Sequence, residues 1–303
     1  MRRHVNISAG LAYGATTRRT RFAVRSIEPV SSLDDPRLAP YRILREPELL
    51  REKGLFIAES RRVVETLLTR SRFTVQSIFV TPTAQQAMSS ILAAHAAQVP
   101  VYVGTRELMN EVAGFNIHRG CLAAGVRESG ADLETLLGAL PESAVVVVTE
   151  AVSDPDNMGA IFRNAFAFGC SAVVLAAGSA DPLYRKSIRV SLGSSLLLPF
   201  AHAPDWPEQA CQTLQRLGFR VVALTPHPPA QPLVPLPAEL LAGRVALLVG
   251  AEGEGLSRAA LERADYRMRI PMANEVDSIN VASATAVALH ALTNRSPAMA
   301  TAT

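Results

Sequence analysis

Three short segments in the hydrophobic C-terminal half of the chain combine glycine with polar side chains. They are residues 154–163 (Asp-Pro-Asp-Asn-Met-Gly-Ala-Ile-Phe-Arg), residues 250–255 (Gly-Ala-Glu-Gly-Glu-Gly) and residues 270–281 (Ile-Pro-Met-Ala-Asn-Glu-Val-Asp-Ser-Ile-Asn-Val). Each segment begins where an apolar, strand-like run ends. Open α/β sheets bind ligands at the carboxyl ends of their strands, so these segments predict a binding site.

The first segment predicts either an anion site or a structural helix start. A turn at Asp154 and Pro155 precedes a helix predicted from Gly159, and the free N–H groups of a helix start favour anions. Asn157 stands before that helix, where it either caps the helix or holds a ligand. Arg163 follows about one turn later among apolar residues. That setting leaves two interpretations open, a buried ion pair or an arginine directed at an anion.

The second segment does not match a dinucleotide site. Its spacing is Gly-x-x-Gly-x-Gly instead of Gly-x-Gly-x-x-Gly, and it follows a late strand of the chain. Its Glu252 and Glu254 would also repel a pyrophosphate. An NAD-dependent oxidoreductase is therefore disfavoured, while a plain glycine turn stays open as an alternative.

The third segment places Ser278 and Asn280 at the start of the last predicted helix, residues 278–293. Both residue types are good helix caps. Capping and ligand binding are therefore rival explanations for each of them.

Together and in this order, the three segments resemble the three motifs of the SpoU (TrmH-like) RNA 2′-O-methyltransferases, a branch of the SPOUT superfamily. The resemblance implies that the loops at residues 248–253, 270–272 and 278–281 form a deep trefoil knot, an exception among folds. It also implies that this knot binds S-adenosylmethionine, whose sulfonium cation tolerates nearby carboxylates. The cofactor-binding residues implied are Leu248, Gly250, Glu252, Gly253, Ile270, Met272, Ser278 and Ile279.

The resemblance implies methyl transfer from S-adenosylmethionine to a ribose 2′-hydroxyl of RNA. Arg163 matches the arginine most often assigned to catalysis, and family proposals make it the general base. Because the pKa of an arginine exceeds about 12, we favour an electrostatic role in which Arg163 binds the adjacent RNA phosphate and stabilises the developing alkoxide. Asn157 and Ser278 would orient ribose and phosphate. The implied catalytic set is Arg163, Asn157, Ser278 and Asn280.

Residues 54–65 resemble the start of the small, ribosomal-protein-like substrate-binding domain of many SpoU enzymes. The family usually has Glu-Gly where this chain has Glu59-Ser60. Because this type of domain resembles that of ribosomal-RNA members, ribosomal RNA is the expected substrate, with transfer RNA as the alternative. Candidate RNA contacts are Arg61 and Arg62, and also Arg185, Lys186 and Arg189 in residues 184–193; solvated helix faces remain the alternative for all five.

The surrounding pattern predicts four parts and an α/β fold. A basic arm (residues 1–28), an α/β substrate-binding domain (29–127), a linker (128–143) and a methyltransferase domain (144–303) follow one another. In the last, apolar runs alternate with helical stretches, which favours a parallel sheet covered on both faces. The resemblance makes this domain an α/β knot. The predicted strands are 144–148, 172–175, 196–198, 221–224 and 245–249, and the helices between them are 160–168, 182–192 and 207–217.

Composition agrees with an RNA partner without proving one. Residues 1–72 hold fifteen basic and eight acidic side chains, which fits either a polyanion partner or a solvated tail. The first residues are read as an arm, a targeting segment or an over-extended start.

Three scattered cysteines disfavour disulfides and zinc, and no apolar run approaches the roughly 20 residues of a membrane span. We expect a cytoplasmic protein without a metal or a membrane partner, and the resemblance implies a homodimer. A knotted RNA-binding protein without activity is the alternative function, and the intact motif residues oppose it.

Overall fold

The computed structural model describes residues 27–42, 46–96, 98–117, 119–128, 130–273 and 277–294. The predicted basic arm therefore lies outside the described residues, except for Ile27 and Glu28 at the start of a strand. Within these ranges, no helix has the length and apolar character needed to cross a membrane.

The N-terminal domain is a five-stranded mixed sheet in the order β1-β4-β3-β5-β2. Strand β5 runs antiparallel to both β2 and β3, whereas β1, β4 and β3 are parallel. The strands are β1 (Ile27–Pro29), β2 (Leu55–Glu59), β3 (Thr74–Val80), β4 (Val101–Val103) and β5 (Cys121–Val126). The α-helices are α1 (Glu46–Lys53), α2 (Arg61–Thr69), α3 (Pro82–Ala87), α4 (Ser89–His95) and α5 (Arg106–Ala113), and a 3-10 helix spans Pro36–Tyr41.

Ser60 joins β2 to α2 in a backbone conformation that favours glycine. Its φ is 90° and its ψ is 149°, and its side chain makes no capping hydrogen bond to α2. This is close to a region of backbone space that is essentially restricted to glycine, where other residues carry about 1–3 kcal/mol of strain. This conformation explains why a glycine would suit the position, as the Glu-Gly pattern in the sequence resemblance implies.

We therefore expect Ser60→Gly to stabilise the protein. Relief of the strain exceeds the roughly 0.5–1 kcal/mol that glycine costs through the entropy of the unfolded chain, so the free energy of unfolding should rise by about 1 kcal/mol. Urea denaturation measures this change. Ser60→Ala is the matched control, because it removes an unused hydroxyl and keeps the strain. An unchanged or lower stability of Ser60→Gly would contradict the strain.

The C-terminal domain contains a seven-stranded, entirely parallel sheet in the order β10-β12-β9-β11-β6-β7-β8. Its strands are β6 (Val145–Thr149), β7 (Ala172–Ala176), β8 (Phe200–Ala203), β9 (Phe219–Leu224), β10 (Gln231–Pro232), β11 (Arg244–Val249) and β12 (Tyr266–Arg269). Its α-helices are α6 (Leu133–Gly138), α7 (Pro155–Ala167), α8 (Arg185–Val190), α9 (Glu208–Arg216), α10 (Arg258–Arg263) and α11 (Val281–Thr293), with 3-10 helices at Ser194–Leu196 and Ala238–Leu240.

Strand β11 lies between β6 and β9, although both of these strands precede it in the chain. Strand β12 pairs with the other edge of β9. Because all these strands are parallel, the loops that follow β6, β9, β11 and β12 emerge at one edge of the sheet. The central strands are buried on both faces; Val147, Leu247 and Leu248, for example, have no exposed surface. The predicted parallel sheet is therefore confirmed, and its order brings the three polar segments together.

One predicted strand was wrong, and one predicted helix begins earlier than the sequence indicated. Of the predicted strand at residues 196–198, Leu196 ends a 3-10 helix and the next two residues form a turn and a bend, and strand β8 begins at Phe200 instead. A short buried apolar run does not distinguish a strand from a helix by periodicity. The predicted helix at residues 160–168 starts earlier, at Pro155, because Asp154 is its cap and accepts a hydrogen bond from the Asp156 amide.

Candidate active site

A cavity of about 590 Å³ opens where the loops after β9, β11 and β12 meet. Its walls are apolar at Leu224, Val249 and Ile270, and acidic at Glu252 and Asp277. The cavity is thus built from three separate chain segments. Its further lining is Thr225, Pro226, His227, Gly250, Ala251, Gly253, Gly255, Met272, Ser278, Ile279, Asn280, Val281 and Ala284.

One side-chain amide connects all three polar segments. Asn280 Nδ2 donates to Asn157 Oδ1 and to Glu252 Oε1, each at 2.8 Å. Asn157 is 8% exposed and belongs to the first segment, and Glu252 belongs to the second. A single group therefore fixes the first turn of α7 relative to the mouth of the cavity.

The same residue caps α11. Asn280 Oδ1 accepts hydrogen bonds from the amides of Ala282 and Ser283 at 3.0 and 3.2 Å. Asn280 thus caps α11 and also lines the cavity, so capping is observed and ligand binding by Asn280 stays a prediction. The helix begins at Val281, so Ser278 lies before it and is not its cap. Asn157 is not a cap either, because it lies inside α7 behind the capping Asp154.

Glycine at position 250 allows the second loop to close on itself. A side chain there would place its Cβ 2.3 Å from the carbonyl carbon of Gly255 and 2.5 Å from the amide nitrogen of Leu256. Backbone atoms cannot yield as a flexible side chain does. The loop also needs left-handed glycines at Gly253 and Gly255, with φ of 91° and 72°.

Gly250→Ala should therefore open the loop and weaken cofactor binding. Overpacking of this kind costs about 1–3 kcal/mol, so we expect about 10- to 100-fold weaker binding of S-adenosylhomocysteine in a calorimetric titration. Gly138→Ala is the matched control, since no atom lies within 4 Å of its added Cβ. Unchanged affinity of Gly250→Ala would show that this loop does not shape the site.

Seven of the eight cofactor-binding residues implied by the sequence line this cavity. The exception is Leu248. It lies within β11, has no exposed surface and packs in the core against the sheet's outer helices. Because β11 is central and buried on both faces, the side chain of Leu248 supports the sheet and does not form part of the cavity wall.

Sequence reasoning missed Glu150, the first residue after β6. Its carboxylate is 8% exposed and accepts hydrogen bonds from Trp206 Nε1 at 2.8 Å and from the Ser257 amide at 2.9 Å. Ser257 caps α10 just after the glycine loop. Glu150 therefore holds the end of the loop that forms the cavity. A carboxylate directly after a strand of four valines and a threonine was the available signal.

Arg163 lies on an exposed part of α7 and is absent from the cavity lining. Of the two alternatives that its apolar neighbours left open, the buried ion pair is wrong, because Arg163 is exposed and no described residue pairs with it; an arginine directed at an anion stays a prediction. Six residues after Asn157, it points about 120° away around the helix axis. The structure thus brings Asn157, Ser278 and Asn280 to the cavity region and leaves Arg163 outside it.

The candidate RNA contacts fall into two groups. Arg61, Arg62 and Arg189 are exposed. Lys186 forms an ion pair with Asp156 at 2.9 Å, which raises the pKa of the lysine. Arg185 lies between the domains and stacks on Phe115, so the solvent-exposed position that the sequence indicated for it is not observed. Only the first group is free to meet a phosphate without a rearrangement.

A larger cavity, of about 760 Å³, lies between the domains beside β8. It contacts Arg72, Arg127 and Phe200 but none of the residues of the three polar segments. Cavity size therefore does not select the candidate site; the polar network that joins the three segments selects the smaller cavity. Among the residues that the structure describes, no group of three or more His, Cys, Asp or Glu side chains is placed to hold a metal.

Comparison with known proteins places the chain in a family. The model of the SpoU rRNA Methylase family matches residues 144–290. A tRNA/rRNA methyltransferase of Mycobacterium tuberculosis H37Rv, named as uncharacterised, is 42% identical over 268 residues, covering 87% of this chain and 91% of that protein. The chain belongs to the SpoU methylase family. The resemblance identified from the motifs is thus confirmed for this SpoU methylase.

More distant relatives agree in fold. The Escherichia coli 23S rRNA (guanosine-2′-O-)-methyltransferase RlmB is 28% identical to this SpoU methylase over 231 residues, covering 75% of the chain and 93% of RlmB. An AdoMet-bound rRNA methyltransferase structure from Sinorhizobium meliloti superposes with a TM-score of 0.76 at 23% identity, over 88% of this chain and 98% of that one. The predicted α/β-knot fold of the SPOUT methyltransferases is confirmed.

Proposed function

We propose that this SpoU methylase transfers a methyl group from S-adenosylmethionine to a ribose 2′-hydroxyl of RNA. The observation that carries the proposal is the Asn157–Asn280–Glu252 network, which joins all three motifs beside a cavity of about 590 Å³. Ligand cavities of about 300–1,000 Å³ are typical of small-molecule sites. The names of RlmB and of the AdoMet-bound relative support both the reaction and the cofactor.

The cavity has the chemical character that this cofactor needs. Leu224, Ile270 and Met272 offer apolar surface for the adenine, and Glu252 and Asp277 place negative charge near a sulfonium and an ammonium group. When bound, S-adenosylmethionine supplies an activated methyl group. The chain's own contribution is to hold this group and the ribose in line, and such alignment contributes about 7–11 kcal/mol to lowering a barrier.

The roles of the polar residues follow from their positions. Arg163, exposed and without a described partner, binds the RNA phosphate next to the target and stabilises the alkoxide that develops on the 2′-oxygen. Asn157 and Ser278 orient ribose and phosphate, and Asn280 holds Asn157 in place. In this proposal Arg163 keeps its charge throughout, because deprotonating an arginine near neutral pH costs about 1.4 kcal/mol per unit of pKa.

We further propose that the protein acts as a homodimer. Arg163 does not line the cavity of its own chain, so a second chain can bring its Arg163 to that cavity. Beside Arg163 on α7, Phe166 is 40% exposed, and on the neighbouring α11 Val287 is 45% exposed. Two large apolar side chains on adjacent helices provide a surface for the partner.

The first experiment is a calorimetric titration with S-adenosylmethionine, followed by mapping of 2′-O-methylation in ribosomal and transfer RNA from a deletion strain. Micromolar binding and a ribosomal ribose that loses its methyl group are expected. No binding by the folded protein, even in the presence of RNA, would overturn the enzyme proposal. It would favour the second candidate, a knotted protein that binds RNA without modifying it.

Mixed dimers test the shared site. Arg163→Ala and Gly250→Ala chains with different tags are co-expressed, and the mixed dimer is isolated. If the site combines the cavity of one chain with Arg163 of the other, the mixed dimer regains one intact site and its activity. If each site lies within one chain, both sites of the mixed dimer stay damaged and no activity returns.

A further inference from the structure

Helix α8 packs directly against the catalytic turn at the start of α7. Lys186 Nζ lies 2.9 Å from Asp156 Oδ2 and 3.9 Å from Asp154 Oδ1. Ser187 Oγ donates to the carbonyl of Pro155 at 3.1 Å. The helices approach so closely at Gly159 that an added Cβ would lie 2.6 Å from the Ser187 carbonyl oxygen. Any shift of α8 therefore displaces the turn that carries Asn157.

The N-terminal domain contacts the opposite side of the same helix through Arg185. The guanidinium carbon of Arg185 lies 3.8 Å from the centre of the Phe115 ring, and its Nη1 lies 3.5 Å from Glu59 Oε2. Glu59 is 8% exposed. A carboxylate this deeply buried depends on its cation, because removal of one partner of a buried pair leaves the other charge without compensation.

The segment after α8 extends this contact. The hydroxyl of Ser71 donates to the carbonyl of Leu196 at 3.1 Å, and Arg72 Nη1 donates to the carbonyl of Leu198 at 3.2 Å. A Cβ at Gly193 would lie 3.4 Å from the side chain of Thr66. Residues 185–198 thus form a continuous support between the N-terminal domain and the catalytic turn.

We propose that Arg185 is a positioning residue that couples the N-terminal domain to the catalytic turn. RNA held by that domain is then presented at a fixed distance and angle to Asn157 and the cavity, and Arg185 with Glu59 and Phe115 sets this geometry. The proposal rests on the proposed function. It replaces a phosphate contact for Arg185, since a phosphate would have to displace both the ring and the carboxylate.

The test compares Glu59→Gln, Arg185→Lys, Arg185→Ala and the Glu59→Gln/Arg185→Ala double variant as full-length protein. Glu59→Gln keeps the size of the side chain and leaves Arg185 in place. We expect kcat at saturating RNA to fall about tenfold in Glu59→Gln and Arg185→Ala, since small misplacements of reactants have effects of this order. The double variant should be no worse than either single one, because the two residues act as a unit. Arg185→Lys should resemble Arg185→Ala, since an ammonium lacks the planar group that stacks on Phe115.

Affinity for S-adenosylhomocysteine should stay unchanged in all variants. Arg258→Ala is the surface control, because the side chain of this arginine is 92% exposed and its ion pair among the described residues is the local one with Glu262, four positions along the same helix. If Arg185 contacted a phosphate instead, Arg185→Ala would raise KM for RNA and lower the salt dependence of binding by about one charge, while Glu59→Gln would leave kcat unchanged. That result would overturn the proposal.

Hydrogen exchange at residues 154–158 keeps the test independent of the enzyme activity. Coupling predicts faster amide exchange at this turn in Glu59→Gln and Arg185→Ala, but not in Arg258→Ala. Unchanged exchange in both variants would refute the coupling even if methylation is found. Faster exchange in a protein that methylates no RNA would support the coupling and refute the proposed function alone.

Discussion

Replacement of Arg163 by alanine is expected to lower kcat for RNA methylation at least about a hundredfold. Removal of one group that stabilises developing negative charge typically costs 10²- to 10³-fold in kcat, on the order of 3–4 kcal/mol. Arg163 is exposed, does not line the cavity and has no described partner. Affinity for the cofactor and the stability of the fold should therefore stay as in the natural protein.

Single-turnover methylation and calorimetric titration of S-adenosylhomocysteine measure the two expectations separately. Arg163→Lys is the control, because it keeps the charge and loses the forked donor; it should recover part of the activity. A collapse of cofactor affinity in Arg163→Ala would assign this arginine to the cofactor and not to the RNA. Full activity of Arg163→Ala would remove it from the mechanism.

Asn280→Asp is expected to weaken cofactor binding about 10- to 100-fold without loosening α11. Aspartate is as good a helix cap as asparagine, so the acceptor for Ala282 and Ser283 is preserved. The donor to Glu252 disappears, and a second carboxylate takes its place 2.8 Å from Glu252 Oε1. Loss of a hydrogen bond to a charged group costs about 1.5–3 kcal/mol, and the repulsion adds to this.

The pH dependence gives this variant a distinctive signature. Two neighbouring carboxylates that share a site raise the pKa of one of them, so a proton bound at acidic pH restores a hydrogen bond between them. Cofactor affinity of Asn280→Asp should therefore recover as the pH falls, whereas the natural protein should show no such recovery.

Asn280→Ala separates capping from the network. It removes both functions, and its free energy of unfolding should fall by about 1 kcal/mol relative to Asn280→Asp. Thermal denaturation of the two variants measures that difference. Equal stability of the two would mean that the cap contributes little, and normal affinity in Asn280→Asp would show that the network does not shape the cavity.

The sequence contained enough information to locate the cavity but not to complete the site. Polar segments after apolar runs indicated strand ends, and seven of the eight expected cofactor residues do line one cavity. The contact between Asn157 and Asn280 spans 123 positions of the chain. It depends on the strand order, in which β11 is inserted between β6 and β9, and no local pattern encodes that order.

Side-chain direction was the second quantity that the sequence did not determine. Apolar neighbours of Arg163 indicated burial, yet the turn of α7 exposes it. For the basic residues of segment 185–189 the sequence indicated phosphate contacts or a solvated helix face, whereas packing divides them among Phe115, Asp156 and solvent. Helical periodicity gives the directions of the side chains on one helix relative to each other. Which of these side chains are buried depends on the neighbouring helices and strands that pack against the helix.

Asn280 caps α11, the last helix that the structure describes. This late position in the chain has a consequence for the synthesis of the proposed site. A nascent chain that has emerged only as far as β12 already contains Asn157 and Glu252 but lacks the amide that joins them. The wall formed by Ser278 and Ile279 is missing as well. In the proposed function, a growing polypeptide can therefore retain the cofactor and methylate RNA only after residues 277–294 have been translated and α11 has left the ribosome.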